Sequence, residues 1–177
     1  MSSIIVAFPK IENGKRMKEI LLQHGFDVEV VCTNSSMILQ EIQHLDYGII
    51  IGSHRFSDMF YTELLEYLPE EFEMLLITSR QVLDQYGTEG VIAITQPFKV
   101  KELVDTLRMM EIAQEKRIQK KKRSVKDKKL ILEAKQVLME RNHLSEEEAH
   151  RYIQKTSMDS GTNMAETAQM ILMLMGS

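Results

Sequence analysis

The chain has 177 residues, 44% of them hydrophobic and 27% charged, which suffices for one large domain or two small ones. Its single cysteine, Cys32, excludes a disulfide framework and a multi-cysteine metal site. No apolar run approaches the ~18–20 residues of a membrane span, and the N-terminal sequence lacks the charged leader of a signal peptide. We expect a cytoplasmic protein with no membrane association.

The net charge of −4 conceals a strong asymmetry along the chain. Residues 1–114 carry 9 basic and 17 acidic side chains, residues 115–130 carry 9 and 2, and residues 131–177 carry 4 and 7. The basic segment 115–130 could bind a polyanion, although a solvated helical linker would have the same composition.

Short apolar strands alternate with helices in the first two thirds of the chain. The predicted strands cover residues 4–8, 28–32, 47–51, 74–77 and 91–94. The predicted helices lie around residues 17–22, 38–42, 61–67 and 82–86, and a further helix opens near Val100. This alternation predicts an α/β fold, namely a flavodoxin-like, doubly wound, five-stranded parallel sheet.

Two short motifs at strand ends make this segment similar to the receiver domain of bacterial response regulators. Thr78-Ser79 follows the fourth strand and Gln96-Pro97-Phe98 follows the fifth, where the family has Thr-Ala and Lys-Pro-Phe. The resemblance also implies a cis peptide bond between Gln96 and Pro97, an isomer found in only ~5–6% of X–Pro bonds.

The residues that a receiver needs for phosphorylation are replaced in this sequence. The family has paired acids after strand one, an aspartate at the end of strand three and a lysine before the proline. The degenerate site consists of Ala7, Phe8, Ile51, Gly52 and Gln96, together with the retained Thr78. Phosphoryl transfer to a carboxylate needs that carboxylate, a divalent ion and a stabilising cation, so the sequence predicts a pseudo-receiver.

Other routes to activity have little support in the sequence. Asp58 and Glu12 could replace the missing acids, but we expect both in solvent-facing loops. The five histidines lack metal-ligand spacing and no phosphate-binding loop is present, so we expect neither an enzyme nor a cofactor or metal. A pseudo-receiver would respond to a regulatory protein, to a small ligand or to neither.

A long helix is predicted from Val100 to about Asn142, because neither proline nor glycine interrupts this stretch. Three apolar residues recur in it at intervals of seven: Ile118, Val125 and Leu132. The alternate seam positions are polar: Gln114, Lys121 and Lys128. This pattern predicts a weak coiled-coil homodimer, with a single exposed helix as the alternative.

Two capping boxes, Ser145–Glu148 and Asn163–Glu166, predict helices over 146–156 and 164–175. We expect a small core at this end of the chain that includes Tyr152 and Met158. The abundant methionines of the tail are interpreted as core packing, with an adaptable docking surface as the alternative.

Several short motifs at this end together resemble the ANTAR domain over roughly residues 130–172. They are Ala134-Lys135, Leu138-Met139, Arg141, Ser145–Ala149, Ser157-Met158 and Ala165–Ala168. The resemblance implies an RNA-binding transcription antiterminator that acts as a dimer on paired stem-loops of mRNA leaders. It divides the chain into a pseudo-receiver (1–108), a helical linker (109–129) and an RNA-binding domain (130–177).

The candidate RNA-binding residues are the four basic side chains of the last segment: Lys135, Arg141, Arg151 and Lys155. Two positions depart from the family, which has glycine at Gln136 and usually arginine at Gln154. Tyr152 could stack on a base, although its position favours core packing. Because residues 131–177 have a net charge of −3, a protein-interaction adaptor whose helical tail docks a partner is the alternative function.

Overall fold

The computed structural model describes residues 1–176. The chain forms two compact units, Met1–Lys116 and Arg117–Ser177, and the division falls inside the segment 109–129 that the sequence predicts as a linker. Over the described residues, none of the helices has both the length and the apolar character that a membrane crossing requires.

The first unit is built on a five-stranded parallel sheet, as predicted. Its strands are β1 (Ser3–Ala7), β2 (Val30–Cys32), β3 (Gly48–Gly52), β4 (Phe72–Thr78) and β5 (Ile92–Thr95). Their order in the sheet is β2-β1-β3-β4-β5, with every neighbouring pair parallel. The flavodoxin-like doubly wound fold is therefore confirmed.

Helices flank the sheet on both faces. They are α1 (Ile11–Gln23), α2 (Ser35–Glu41) with a short 3-10 turn (Ile42–His44), α3 (Tyr61–Tyr67), α4 (Arg80–Tyr86) and α5 (Val100–Asn142). Alternate residues of the strands enter two separate clusters, so that Ile49 and Ile51 pack in one and Ile50 packs in the other. Cys32 is wholly buried in the second of these clusters and is therefore a core residue. Burial and the negative charge of Glu41 raise the pKa of its thiol to about 11.

Gln114 corrects the predicted coiled-coil seam. It is 2% exposed and belongs to the first unit, where its side-chain amide donates hydrogen bonds to the carbonyl oxygens of Gly48 and Glu71. The heptad reading placed Gln114 in the dimer interface because sequence spacing alone does not show which tertiary partner a helical residue meets.

The second unit contains the rest of α5, followed by α6 (Glu146–Ser160) and α7 (Met164–Met175). Both predicted capping boxes are present, with Ser145 and Asn163 accepting hydrogen bonds from the backbone N–H groups of Glu148 and Glu166. The helix α6 is longer than predicted and ends at Gly161, whose φ of +69° suits glycine. A small core joins the three helices: Ala134, Leu138, Ala149, Ile153, Ala168 and Ile171.

Two tail residues that we expected in the small core, Tyr152 and Met158, are exposed instead. Tyr152 is 48% exposed and Met158 is 75% exposed, because Ala149, Ile153 and Ser157 form the buried side of α6. Three residues of α7 are also exposed: Met170, Met173 and Leu174. Met164 and Met175 do pack against the core, so core packing explains only some of the methionines.

Candidate functional site

A cleft of about 510 Å³ lies at the carboxyl ends of the strands in the first unit. In parallel α/β sheets this edge is where ligands bind. Three of the predicted degenerate positions, Phe8, Thr78 and Gln96, line the cleft. The other three, Ala7, Ile51 and Gly52, are buried strand residues that do not line it.

Ser53 and His54, directly after β3, take part in the cleft instead. The Nδ1 atom of His54 and the Oγ1 atom of Thr78 share a hydrogen bond of 2.9 Å. Burial lowers the pKa of His54, and the positive charge of neighbouring Arg55 lowers it further. The sequence could not indicate this pair, because its members are 24 residues apart on different strand ends.

The two acids considered as substitutes for the missing carboxylates do not line the cleft. Asp58 instead accepts hydrogen bonds from the backbone N–H groups of Ser35 and Ser36, at 2.9 and 3.0 Å, at the start of α2. Partial burial raises the pKa of Asp58, but these bonds and one from the Ser36 hydroxyl outweigh it, so that the pKa lies below its ordinary value. Glu12 is an exposed residue in the first turn of α1.

Two other features of this unit bear on its chemistry. The Gln96–Pro97 peptide bond is cis, as the resemblance implied. Across residues 1–176, no group of three or more His, Cys, Asp or Glu side chains is arranged to hold a metal ion.

In the second unit, the predicted RNA-binding residues lie on two helices. On α5, Lys135 has a side chain only 17% exposed, and its Nζ atom is 3.9 Å from Oε1 of Glu146. On α6, Arg151 forms an ion pair with Glu147 one turn earlier, and Lys155 is exposed. Arg141 is exposed near the end of α5.

Tyr152 lies between Arg151 and Lys155 on the exposed side of α6, which the sequence analysis did not anticipate. Residues three and four apart on a helix are neighbours, so Lys155 adjoins both Arg151 and Tyr152. An exposed aromatic ring beside two cations is the combination that binds unpaired bases and phosphates of a single strand.

A groove of about 440 Å³ forms a further basic feature between α5 and the start of α7. Its lining has three cations, Lys122, Arg123 and Lys126, all from the segment predicted as a linker, and two acids, Asp127 and Glu166. The boundary between the two units also changes the net charge of the C-terminal part of the chain. Residues 117–177 carry 12 basic and 8 acidic side chains, so that this unit has a net charge of +4, whereas residues 131–177 alone have −3.

The apolar heptad row on α5 continues for one residue more than the sequence analysis recognised. Val125 and Leu132 are 63% and 62% exposed, and Met139, seven residues further, is 38% exposed. Val125 and core residue Ala134 are nine residues apart, which at 3.6 residues per turn places them on opposite sides of the helix. The row therefore points away from the core of its own unit.

Comparison with known proteins connects each unit to a known class of domain. The family model of the ANTAR domain matches residues 119–172, which lie within the second unit. A search of curated protein sequences found no match to the chain.

Solved structures similar to the chain include receiver domains. A CheY-like response regulator receiver domain protein from Methanospirillum hungatei JF-1 matches with a TM-score of 0.56 and 21% identity, over 66% of this chain and 98% of that one. The signal receiver domain of an HD domain-containing protein from Pseudomonas fluorescens Pf-5 matches with a TM-score of 0.57 and 14% identity, over 67% and 92%. At these identities the likeness establishes the fold. The chain therefore carries an ANTAR domain after a domain with the receiver fold, as its resemblance to ANTAR response regulators predicts.

Proposed function

We propose that this chain is a non-enzymatic, RNA-binding transcription antitermination regulator that acts as a homodimer on paired stem-loops of mRNA leaders. The observation that carries the proposal is the ANTAR match over residues 119–172. The net charge of +4 on residues 117–177 supports it, because neutralisation of phosphates supplies much of the affinity of nucleic-acid binding.

The proposal assigns residues 1–108 to the pseudo-receiver, 109–129 to a helical linker and 130–177 to RNA recognition. The first segment is not regulated by phosphorylation under this proposal, because its cleft has Phe8, Ser53 and Gln96 near the strand ends and no carboxylate from Asp58 or Glu12. The linker contributes the groove cations Lys122, Arg123 and Lys126, which lie beside the start of α7.

Within the RNA-binding surface, we assign phosphate contacts to Lys135, Arg141, Arg151 and Lys155, and base stacking to Tyr152. The half-exposed ring of Tyr152 can stack on a base splayed from a hairpin loop while the adjacent cations hold the flanking phosphates. The ion pair of Arg151 with Glu147 does not prevent this, because an RNA phosphate can compete for an exposed cation. Lys135 is 17% exposed, and it would exchange its contact of 3.9 Å with Glu146 for an RNA phosphate.

The test of the function is crosslinking of the full chain to RNA in cells, followed by sequencing of the bound transcripts. Enrichment of leader segments with two hairpins before a terminator is the expected result. Recovery of no enriched RNA would overturn the proposal.

Titration of an enriched RNA against variants then tests the assigned residues. Lys135→Ala with Arg141→Ala should weaken binding and reduce the slope of log K against log salt by about 1.4–1.8, the value for two lost phosphate contacts. The matched control is Lys101→Ala with Arg80→Ala, which removes the same charge from the first unit. An equal loss in both double variants would mean that the binding responds to net charge alone.

Tyr152 has a more specific test, because a conservative variant retains the ring. Tyr152→Leu should cost about 1–3 kcal/mol of binding free energy, the range for one stacked base, whereas Tyr152→Phe should bind nearly as the original chain does. Equal affinities for the two variants would remove Tyr152 from the RNA-binding surface.

One observation favours the second candidate function, a protein-interaction adaptor. Met170, Met173 and Leu174 form an exposed apolar face on α7, on the side away from its core residues Ala168 and Ile171. Salt separates the two functions, because RNA binding weakens steeply as salt rises and apolar helix docking does not.

A further inference from the structure

The cleft of the pseudo-receiver has an unusual lining for its position in the fold. Of the described residues that line it, none is Asp or Glu, and two are cations, Lys10 and Arg16. Lys10 directly precedes α1 and Arg16 lies in it, so both follow β1. They line the cleft together with residues that follow β3, β4 and β5. The site thus has the polarity opposite to that of a metal site built from carboxylates.

Several hydrogen-bond donors in the cleft are not used by the protein itself. Within residues 1–176, the side chains of Lys10, Asn13, Arg16 and Gln96 form neither a hydrogen bond nor an ion pair. By contrast, the hydroxyl of Thr78 bonds to His54, and Ser79 caps α4. Four unpaired donor side chains from two segments, the start of α1 and the residues after β5, therefore meet at one opening.

The positive lining is a local feature and does not reflect the charge of the whole unit. Residues 1–116 carry 10 basic and 18 acidic side chains, a net charge of −8. The helix α1 adds to the local potential, because its N-cap Lys10 provides no side-chain acceptor for the N–H groups of the first turn. Glu12 in that turn is the nearest acid in sequence, and it does not line the cleft.

The size and the apolar part of the lining restrict the kind of anion. A volume of about 510 Å³ lies within the range of small-molecule sites. Beside the donors, the wall contains Phe8, Met17, Ile20, Ile77 and Phe98. A ligand that matches both parts has an oxyanion at one end and a compact apolar body at the other.

From these contacts we propose that the degenerate receiver cleft is a binding site for a small organic oxyanion, a carboxylate or a phosphate monoester, held by Lys10 and Arg16. The binding is noncovalent and needs no metal ion, because the two cations neutralise the anion directly. The proposal is independent of RNA binding by the second unit, so that either can fail without the other.

The experiment is a titration of the isotope-labelled full chain followed by NMR, with four probes at constant ionic strength. Phenyl phosphate and benzoate combine an oxyanion with an apolar ring, benzamide has the ring without the charge, and inorganic phosphate has the charge without the ring. We expect the two aromatic anions to shift amide signals near Lys10, Arg16, Ser53 and Gln96, with affinities at least about tenfold above those of benzamide and inorganic phosphate. The stronger of the two aromatic anions then identifies the preferred head group.

Variants at the mouth of the cleft connect this binding to the named cations. Arg16→Gln and Lys10→Gln should each weaken the preferred aromatic anion about tenfold, since each removes one charge-assisted contact. The matched control is Lys15→Gln, which removes the same charge from an exposed residue of α1 that does not line the cleft. All three side chains are exposed, so the fold should tolerate the changes.

Three results would overturn the proposal. The first is the absence of cleft shifts with either aromatic anion at about 10 mM, a concentration at which even millimolar affinity is detected. The second is equal binding of benzamide or of inorganic phosphate, which would remove the need for the charge or for the apolar wall. The third is an equal loss of binding in Lys15→Gln and Arg16→Gln.

Discussion

The side-chain amide of Gln114 donates one hydrogen bond to the carbonyl oxygen of Gly48 at 2.8 Å and another to that of Glu71 at 3.0 Å. Gly48 is the first residue of β3 and Glu71 directly precedes β4, so both acceptors lie at the amino ends of their strands. A glutamine that is 2% exposed thus fastens α5 to two neighbouring strands of the sheet. The role of Gln114 in the fold is structural. It belongs to the part of α5 that packs in the first unit, whereas the apolar heptad row lies in the second unit.

Gln114→Leu should therefore lower the free energy of unfolding by about 1–3 kcal/mol, because the buried carbonyl oxygen of Gly48 and the part-buried one of Glu71 each lose a donor. Urea denaturation measures the loss. Gln119→Leu is the control, since Gln119 is an exposed residue of the same helix and should change stability by no more than about 0.5 kcal/mol. A similar loss in both variants would indicate an effect on the helix in general.

Asp58 makes a pH-dependent contribution to the first unit. The bonds from Ser35 and Ser36 hold its pKa below the ordinary value of 3.8, so the stabilisation is present above that pH and is lost as the pH falls through the lowered pKa. Asp58→Ala should cost about 0.5–1 kcal/mol at neutral pH, a small value because the carboxylate is exposed. The difference between variant and parent, measured by urea denaturation, should shrink below pH 3.8. Asp27→Ala is the exposed control, and a difference that stays constant with pH would contradict the assignment.

His54 makes a second pH-dependent contribution, which changes stability in the same direction as that of Asp58. Burial and Arg55 hold its pKa below the ordinary value of 6.5, so the unfolded chain binds a proton at a higher pH than the folded chain does. Stability should therefore fall as the pH drops below 6.5 towards the lowered pKa. His54→Asn should flatten this part of the pH profile, with His44→Asn as the control. An unchanged profile in His54→Asn would show that another group causes the acid sensitivity.

The pseudo-receiver should not accept a phosphoryl group. The chain is incubated with acetyl phosphate and magnesium and its intact mass is measured, beside a receiver domain that has the complete acid set. We expect no mass gain, because the cleft presents Phe8, Ser53 and Gln96 at its strand ends and cations at its mouth. Addition of one phosphoryl group near β3 would refute the prediction and would also reopen the role of the first unit.

The helices and strands of this fold were predictable, because they depend on residues close together in the sequence. The sites were not predictable, because they depend on residues that only the tertiary fold brings together. Apolar runs gave the five strands, and the capping residues Ser145 and Asn163 located the two last helices, because a cap is a contact with the next few residues. Tyr152 was placed on the wrong side of α6, since it directly precedes the core residue Ile153 and periodicity alone did not separate the two. The cationic cleft joins Lys10 and Arg16 to Ser53 and Gln96, residues that only the sheet brings together.

Dimerisation through α5 should be weak in the free protein and should matter most on paired hairpins. The candidate seam consists of the exposed residues Val125, Leu132 and Met139 together with the half-buried Ile118. The lysines at 121 and 128 would face their counterparts across a parallel dimer.

RNA phosphates along the basic segment would offset that repulsion, and a transcript with two hairpins would bring two copies together at a high effective concentration. Val125→Asp places a charge in the seam and should remove much of the added affinity for a two-hairpin RNA, a factor of about 10²–10⁴, while binding to one hairpin changes little. Ser124→Asp, an exposed neighbour outside the row, adds the same charge and is the control. RNA titration and sedimentation at several salt concentrations measure both effects. Equal weakening of one-hairpin and two-hairpin binding by Val125→Asp would mean that the row acts within a single copy, and dimerisation would then have to come from another surface.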